Sequence, residues 1–426
     1  MRRSPFPFLA STLCGLCACN ETAAPPSTPQ TAPHPSAAVN TGADSIELVE
    51  SVPAETTLDH ADVRDAPTVW PEMIDRAKTT IDFAEFYASD AENGAATPLG
   101  PVLAAIGRAT KRGVKVRFVA DKGMSSKYPA MLDQITKLGV TVRTIDAATR
   151  YGGVQHAKFF VVDGHEAFVG SQNFDWRALQ HIQEMGVRME SPAISGALED
   201  LFETDWALAE TATPAATRTK GHGGFTDTAA KTGESFALFE SPKGWLPDES
   251  RWDLDGIVAL LDGAKAKFDL QVLTYSTTNR DKSPFTTLDD AVRRAAGRGV
   301  KVRLLVSSWG TKGAARKAID GLAGVANVEV KVLTVPPAST GDIPFARVSH
   351  AKFFVVDGTK AWVGTSNWEG DYFLKTRNVA IVAQNGALPP RLDRIFEDDW
   401  TSAYAQPLSS LPAAAAPPSG SGPARH

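Results

Sequence analysis

His156-Ala-Lys-Phe-Phe-Val-Val-Asp-Gly164 recurs as His350-Ala-Lys-Phe-Phe-Val-Val-Asp-Gly358, nine identical residues within one chain of 426. The likeness continues on both sides. Asn173 and Asn367 follow their Asp at the same offset. Gly113-Val-Lys-Val-Arg-Phe-Val119 matches Gly299-Val-Lys-Val-Arg-Leu-Leu305, and Phe202-Glu-Thr-Asp-Trp206 matches Phe396-Glu-Asp-Asp-Trp400. The first of these pairs is offset by 186 residues and the histidines by 194, so the second copy carries about eight extra residues between those points. Glu50-Ser51 and Glu240-Ser241 open the two copies. Repetition on this scale is one domain duplicated and fused, not a short solenoid repeat.

Each copy has the same grammar. A strand (Thr80–Phe86 or Phe268–Tyr275) precedes a helix (Pro101–Arg112 or Leu288–Arg298) stopped by Gly113 or Gly299. A Val-rich strand follows, then the motif strand (Lys158–Val162 or Lys352–Val356). An Asp-Gly turn leads to a hairpin partner (Ala167–Val169 or Ala361–Val363), and a helix closes the copy at Trp206 or Trp400. Alternating strands and helices predict an α/β fold of two fused, duplicated domains, each a mixed sheet with helices on both faces. The boundaries read as 45–210 for the first domain, 211–233 for a linker poor in apolar periodicity, 234–406 for the second domain and 407–426 for a disordered tail.

Bulk composition is that of a soluble globular protein, and a formal net charge of −5 gives no overall attraction to polyanions. Any such binding needs a local basic cleft. All three cysteines (Cys14, Cys17, Cys19) lie near the start, so no disulfide is expected in the domains. No Cys/His cluster has metal-ligand spacing, and neither metal nor cofactor is expected. Arg2 and Arg3 precede an apolar stretch, the order of an export signal. Leu16-Cys-Ala-Cys19 is similar to a bacterial lipobox with Cys19 as the acylated residue. The expectation is a lipoprotein signal over 1–18, a flexible tether over 19–44 rich in Pro, Thr and Ala, and a membrane-anchored exported protein. His34, His60, His222 and His426 read as solvated loop or tail residues, and His165 and His181 as structural or surface residues.

A phosphodiester is anionic and repels nucleophiles, so its cleavage needs charge neutralisation, a nucleophile and an acid for the leaving oxygen. The two motifs supply these in pairs. Lys158 and Lys352 can hold the non-bridging oxygens, and Asn173 and Asn367 add amide donors. Imidazole titrates near neutrality, so one of His156 and His350 can attack while the other donates a proton. Asp163 and Asp357 precede Gly and read as turn residues. Ser171 and Thr365 read as supports for the site. Trp176, Trp368, Tyr372, Phe373, Tyr87 and Tyr275 are either core residues or an aromatic rim on the cleft.

These residues resemble the phospholipase D superfamily, named for its HKD motif. Gly170-Ser-Gln-Asn-Phe-Asp-Trp-Arg177, Gly364-Thr-Ser-Asn-Trp-Glu-Gly-Asp-Tyr-Phe373 and Val49-Glu-Ser-Val-Pro53 are similar to the branch holding the lysosomal phospholipase-D-like exonucleases and the poxvirus envelope phospholipases. Two departures are Thr365, where the first copy has Ser171, and the absence of the cysteines expected of the lysosomal members. The resemblance implies an active site at the pseudo-two-fold interface and a covalent phosphohistidine. It also implies that a Glu placed like Glu184, 28 residues after His156, contacts the motif histidine; the matching position after His350 is Asn378. On that basis Glu184 is expected to orient His156 as nucleophile, with His350 as acid. The leading expectation is hydrolysis or headgroup exchange of phospholipids. The alternatives are a 5'-exonuclease on single-stranded nucleic acid and an inactive binding module, against which two intact motif sets argue. No protein partner is expected.

Overall fold

Phe159–Val162 and Phe353–Val356 are four-residue strands buried on both faces. Phe159 and Val161 face one core, while Phe160 and Val162 face another. An unbroken Phe-Phe-Val-Val run suits that position, because neither face meets water. The computed structural model describes residues 44–91, 95–210, 225–227 and 234–412. The expected signal peptide, Cys19, all of the tether but residue 44, most of the linker and residues 413–426 lie outside the described residues, as do His34, His222 and His426.

The two halves have one topology. In the first, the sheet runs Arg64–Asp65, Ser45–Ser51, Ile182–Glu190, Glu166–Gly170, Phe159–Val162, Thr80–Glu85, Lys115–Asp121, Thr141–Ile145. In the second it runs Phe225–Asp227, Ser235–Ser241, Asn378–Gln384, Lys360–Gly364, Phe353–Val356, Lys267–Val272, Lys301–Ser307, Val328–Leu333, Ala405–Pro407. Both sheets are mixed: Thr80–Glu85 pairs in parallel with Lys115–Asp121 and antiparallel with the motif strand. The helices before the Val-rich strands span Leu99–Lys111 and Thr287–Gly297. They stop where Gly113 and Gly299 adopt φ of +89° and +91°, open to glycine without steric cost.

Helices cover both faces of each sheet. The closing helices Pro192–Glu210 and Leu388–Thr401 share one core with the inner faces of both sheets, through Leu198, Phe202, Ile395 and Phe396. Helices Ala66–Arg76 and Leu99–Lys111 cover the outer face of the first sheet, and Asp253–Asp262 and Thr287–Gly297 that of the second. The shared inner core buries apolar area from both copies, and such burial is worth ~25 cal/mol per Å². It ties the halves into one body.

Several boundaries differ from expectation. The first closing helix continues past Trp206 to Glu210. The second domain extends beyond 406: Ala405–Pro407 pairs with Lys331–Leu333, and Leu408 is buried. Within the expected linker, Phe225–Asp227 pairs with Ser235–Ala237. His60 is not solvated. It is buried, with Nδ1 2.8 Å from a Glu50 carboxylate oxygen.

Short backbone ladders cross between the copies. Val348–Ser349 pairs in parallel with Ile182–Gln183, and Gln155 pairs in parallel with Arg377. These ladders lie immediately before the two motif histidines and decide what each histidine meets.

Candidate active site

His350 N donates to Gln183 O at 2.8 Å, which brings the imidazole beside the next residue, Glu184. Its Nδ1 lies 2.9 and 2.8 Å from the two Glu184 carboxylate oxygens. In the other half, His156 N donates to Arg377 O at 3.0 Å, and its Nδ1 lies 3.0 Å from Asn378 Oδ1. The orienting residues are therefore exchanged between copies. Glu184 does not face His156, as the superfamily resemblance had suggested; it faces His350. The register of the crossing ladders is the cause.

The exchange also bears on the proton positions. When Glu184 is ionised it only accepts, so Nδ1 of His350 then carries the hydrogen and Nε2 keeps its lone pair. Asn378 Nδ2 donates to Tyr372 O at 2.8 Å and Thr376 O at 3.3 Å, so its Oδ1 must face His156 and accept from Nδ1. Thr365 Oγ1 donates to the same Oδ1 at 2.9 Å, and Val379 N donates to Thr365 Oγ1 at 3.1 Å. Ser171 takes the equivalent place near Glu184, bonded to Met185 N at 3.0 Å. Ser171 and Thr365 thus hold the residues that hold the histidines.

Lys158 and Lys352 are buried, and each Nζ donates to the carbonyl of its own motif histidine. Burial pulls the Lys352 ammonium down to about 7, against the opposing pull of Glu184. Burial also pushes the Glu184 carboxyl up to about 8, opposed by Lys352, Ser171 and Lys158. Lys158 is lowered well below its ordinary value by burial and by the charge of Lys352, against the buried carboxyl of Glu85. Both imidazoles are held well below their usual range by burial and the lysine charges. The pocket is thus short of negative charge, and a phosphodiester anion would restore it. Its arrival favours protonation of every one of these cations.

Asn173 and Asn367 are buried, and the Oδ1 of each accepts no hydrogen bond among the described residues. Asp163 and Asp357 stand away from the chemistry. Asp163 has φ +51° and accepts from Lys78 N, Thr79 N and Thr80 N at 2.9, 2.7 and 3.0 Å. Asp357 has φ +53° and accepts from Lys265 N, Ala266 N and Lys267 N at 2.9, 2.7 and 2.9 Å. Both side chains tie the motif hairpin to the neighbouring strand.

The histidines open into a cavity of about 390 Å³ lined by His156, His350, Asn173, Tyr372 and a rim of other side chains. Tyr372 packs edge-on to His156 at 5.1 Å, as Phe86 does at 4.9 Å. Tyr87 is stacked on Tyr128 at 5.2 Å. Trp368 and Phe373 are core residues, and Tyr275 is buried against Trp368. Trp176 packs on His181. The sequence reading did not single out Phe86, Lys127, Tyr128, Arg280, Trp309 or Phe345, all of which line the cavity. For Phe345 there was a signal, the extra residues ahead of His350.

Two imidazoles, two ammonium groups and two carboxamides drawn from both halves define a phosphodiesterase whose site exists only at the junction. The chain belongs to the phospholipase D-like family: the family described as "Cardiolipin synthase, PLD-like domain" matches residues 71–206 and 257–400. Phospholipase D Z of Dictyostelium discoideum is 32% identical over 389 residues, covering 86% of this chain and 91% of that protein. The 5'-3' exonuclease PLD3 of Bos taurus is 31% identical over 395 residues, covering 85% and 80%. Among solved structures, phosphatidylserine synthase of Haemophilus influenzae Rd KW20 matches with a TM-score of 0.56 and 12% identity over 80% of this chain and 85% of that one, a likeness of fold.

Proposed function

We propose that this phosphodiesterase works through a phosphohistidine on His350 and that its cleft receives single-stranded nucleic acid. The exchange of partners supports the order of steps. His350 Nε2 attacks phosphorus, and the imidazole gains positive charge that Glu184 stabilises through Nδ1. The bond from phosphorus to the leaving oxygen breaks as protonated His156 gives its Nε2 hydrogen to that oxygen. Asn378 adds no charge, so His156 is the better acid. Water then takes the vacated place. His156 removes its proton, the new P–O bond forms and the P–N bond breaks, returning free His350. Lys158 and Lys352 offset charge on the non-bridging oxygens throughout.

The observation that carries the substrate reading is a pair of cations at the cavity, Lys127 and Arg280, the second lying 6.0 Å over the Tyr372 ring. Lys127 and Arg280 line the cavity beyond the catalytic lysines, and neither forms an ion pair with a carboxylate among the described residues. A phospholipid phosphodiester presents one phosphate, which the buried lysines already meet. Further cations beside stacked aromatic rings suit a chain of phosphates and bases. The phospholipid reading is favoured by a different feature, the exposed apolar rings of Trp309 and Phe345 at the cavity, which could enter a lipid surface. A side-by-side assay decides: purified protein with EDTA, a single-stranded oligonucleotide, and vesicles of phosphatidylglycerol or phosphatidylcholine. Nucleotide release that weakens steeply with salt supports the proposal. Turnover of vesicles alone overturns it.

Export and lipid attachment at Cys19 belong to the same proposal, on the strength of Arg2, Arg3 and Leu16-Cys-Ala-Cys19. Cys19→Ser should move the protein from the membrane fraction to the soluble one with its activity kept. A wild-type Cys19 that carries no lipid would remove this part.

A further inference from the structure

The two copies approach their motif histidines by different routes. Residues 146–155 separate the strand ending at Ile145 from His156, whereas residues 334–349 separate the strand ending at Leu333 from His350, sixteen against ten. The longer segment is fastened to the first half of the chain. Arg347 donates through Nη1 to Ala54 O and through Nε to Pro336 O, both at 2.7 Å. Ser339 donates to both carboxylate oxygens of Glu55 at 2.8 and 2.7 Å. Arg177, locked on Asp175, donates to Pro344 O at 3.2 Å. The segment is a braced arm, and Phe345 stands near its end.

Phe345 is out of place by local rules. Its φ is +62°, a region that suits Gly or Asn and strains a bulky side chain. The residue is 61% exposed, the highest value for a large apolar residue among the described residues. A turn alone would be better served by glycine. Phe345 nonetheless lines the cavity that holds His156 and His350. Trp309, 44% exposed, lines the same cavity from the 3-10 turn Ser308–Gly310 of the second half. The Arg177 guanidinium lies 6.0 Å from the centre of the Phe345 ring, so a cation backs the exposed residue.

We infer that Phe345 is a substrate-binding residue: its ring stacks on a base of the strand whose phosphodiester lies between the histidines. This rests on the nucleic-acid reading given above. The arm supplies rigidity, so the ring is in place before substrate arrives, and the strained backbone is the local cost of holding it over the cleft. Stacking is indifferent to base identity, because every base has a π-face, so the gain is grip without sequence preference.

The test compares a single-stranded oligonucleotide with an abasic strand of the same length, using the full chain. Wild type should favour the strand with bases. Phe345→Gly removes the ring and suits the backbone, so the protein should fold with unchanged or higher Tm. Its KM for the normal strand should rise about tenfold, the range expected for loss of one stacked base, with kcat within about twofold. Turnover of the abasic strand should not change, and Phe345→Tyr should keep wild-type behaviour. If Phe345→Gly leaves the preference for bases intact, or weakens both strands equally, the assignment is overturned while the nucleic-acid reading stands. A wild type inert on both strands overturns both.

Discussion

The Glu184 carboxylate, from the first copy, lies 2.8 Å from Nδ1 of His350, from the second. Its counterpart, Asn378 of the second copy, bonds His156 of the first. Each catalytic imidazole is thus oriented by the other half, and only His350 has a carboxylate behind it. The duplication has diverged at this position, which in the proposed reaction separates the nucleophile from the acid.

The order of the histidines can be read by trapping. His156→Asn lacks the acid but keeps the nucleophile, so a nitrophenyl phosphodiester, whose leaving group needs little protonation, should still phosphorylate the protein. Deprived of its base, the second step slows and label should accumulate. Peptide mass spectrometry should place it on His350. Phosphate on His156 in the reciprocal His350→Asn protein, with His350 unlabelled in the first, reverses the assignment.

Glu184→Gln should lower kcat about a hundredfold, because the phosphorylated imidazole loses its supporting charge. It should also move a pH limb. Lys352 is held at about 7 with Glu184 raising it. Its charge is present below that value and lost as pH climbs through it, so kcat/KM in wild type should decline above about pH 7. Without Glu184 the Lys352 value falls, and the limb should shift to lower pH. A limb that stays in place would separate Lys352 from the observed titration.

Asp163→Ala and Asp357→Ala should cost stability and leave the chemical step alone. Each carboxylate accepts three backbone N–H groups. Removing it leaves donors at the hairpin unpaired, at about 1–3 kcal/mol per variant. Denaturant melts should show the loss, while kcat below the melt should remain within about threefold. A collapse of kcat in folded protein would give these residues a part in the reaction.

Arg377→Met tests the ion pair behind His156. The Arg377 and Asp205 side chains are both 0% exposed, and Arg377 also donates to Ser241 O and Trp245 O at 2.9 and 2.8 Å. Removing the guanidinium strands a buried carboxylate and should destabilise by about 3–5 kcal/mol. Adding Asp205→Asn in the same chain should restore much of the loss. Additive losses in the double variant would mean the pair is not coupled.

The sequence by itself determined the duplication, the α/β layering and the His, Lys and Asn set, because each is a local pattern. The Phe-Phe-Val-Val runs announce strands buried on both faces, and Gly113 and Gly299 announce helix ends. Asp163 and Asp357 could be recognised as turn residues from the glycine that follows each. Which carboxylate serves which histidine was not legible. Glu184 lies 28 residues after His156 along the chain, yet the parallel pairing of Val348–Ser349 with Ile182–Gln183 delivers it to His350. Register between distant strands comes from packing of the whole inner core, and no window of sequence contains it. The same holds for the cleft. Phe345 and Tyr128 are 217 positions apart, by subtraction of their residue numbers, and only the braced arm brings both to one cavity. Local chemistry is written in neighbouring residues. The assembly of two half-sites into one is set by long-range contacts, and those exist only once the chain has folded.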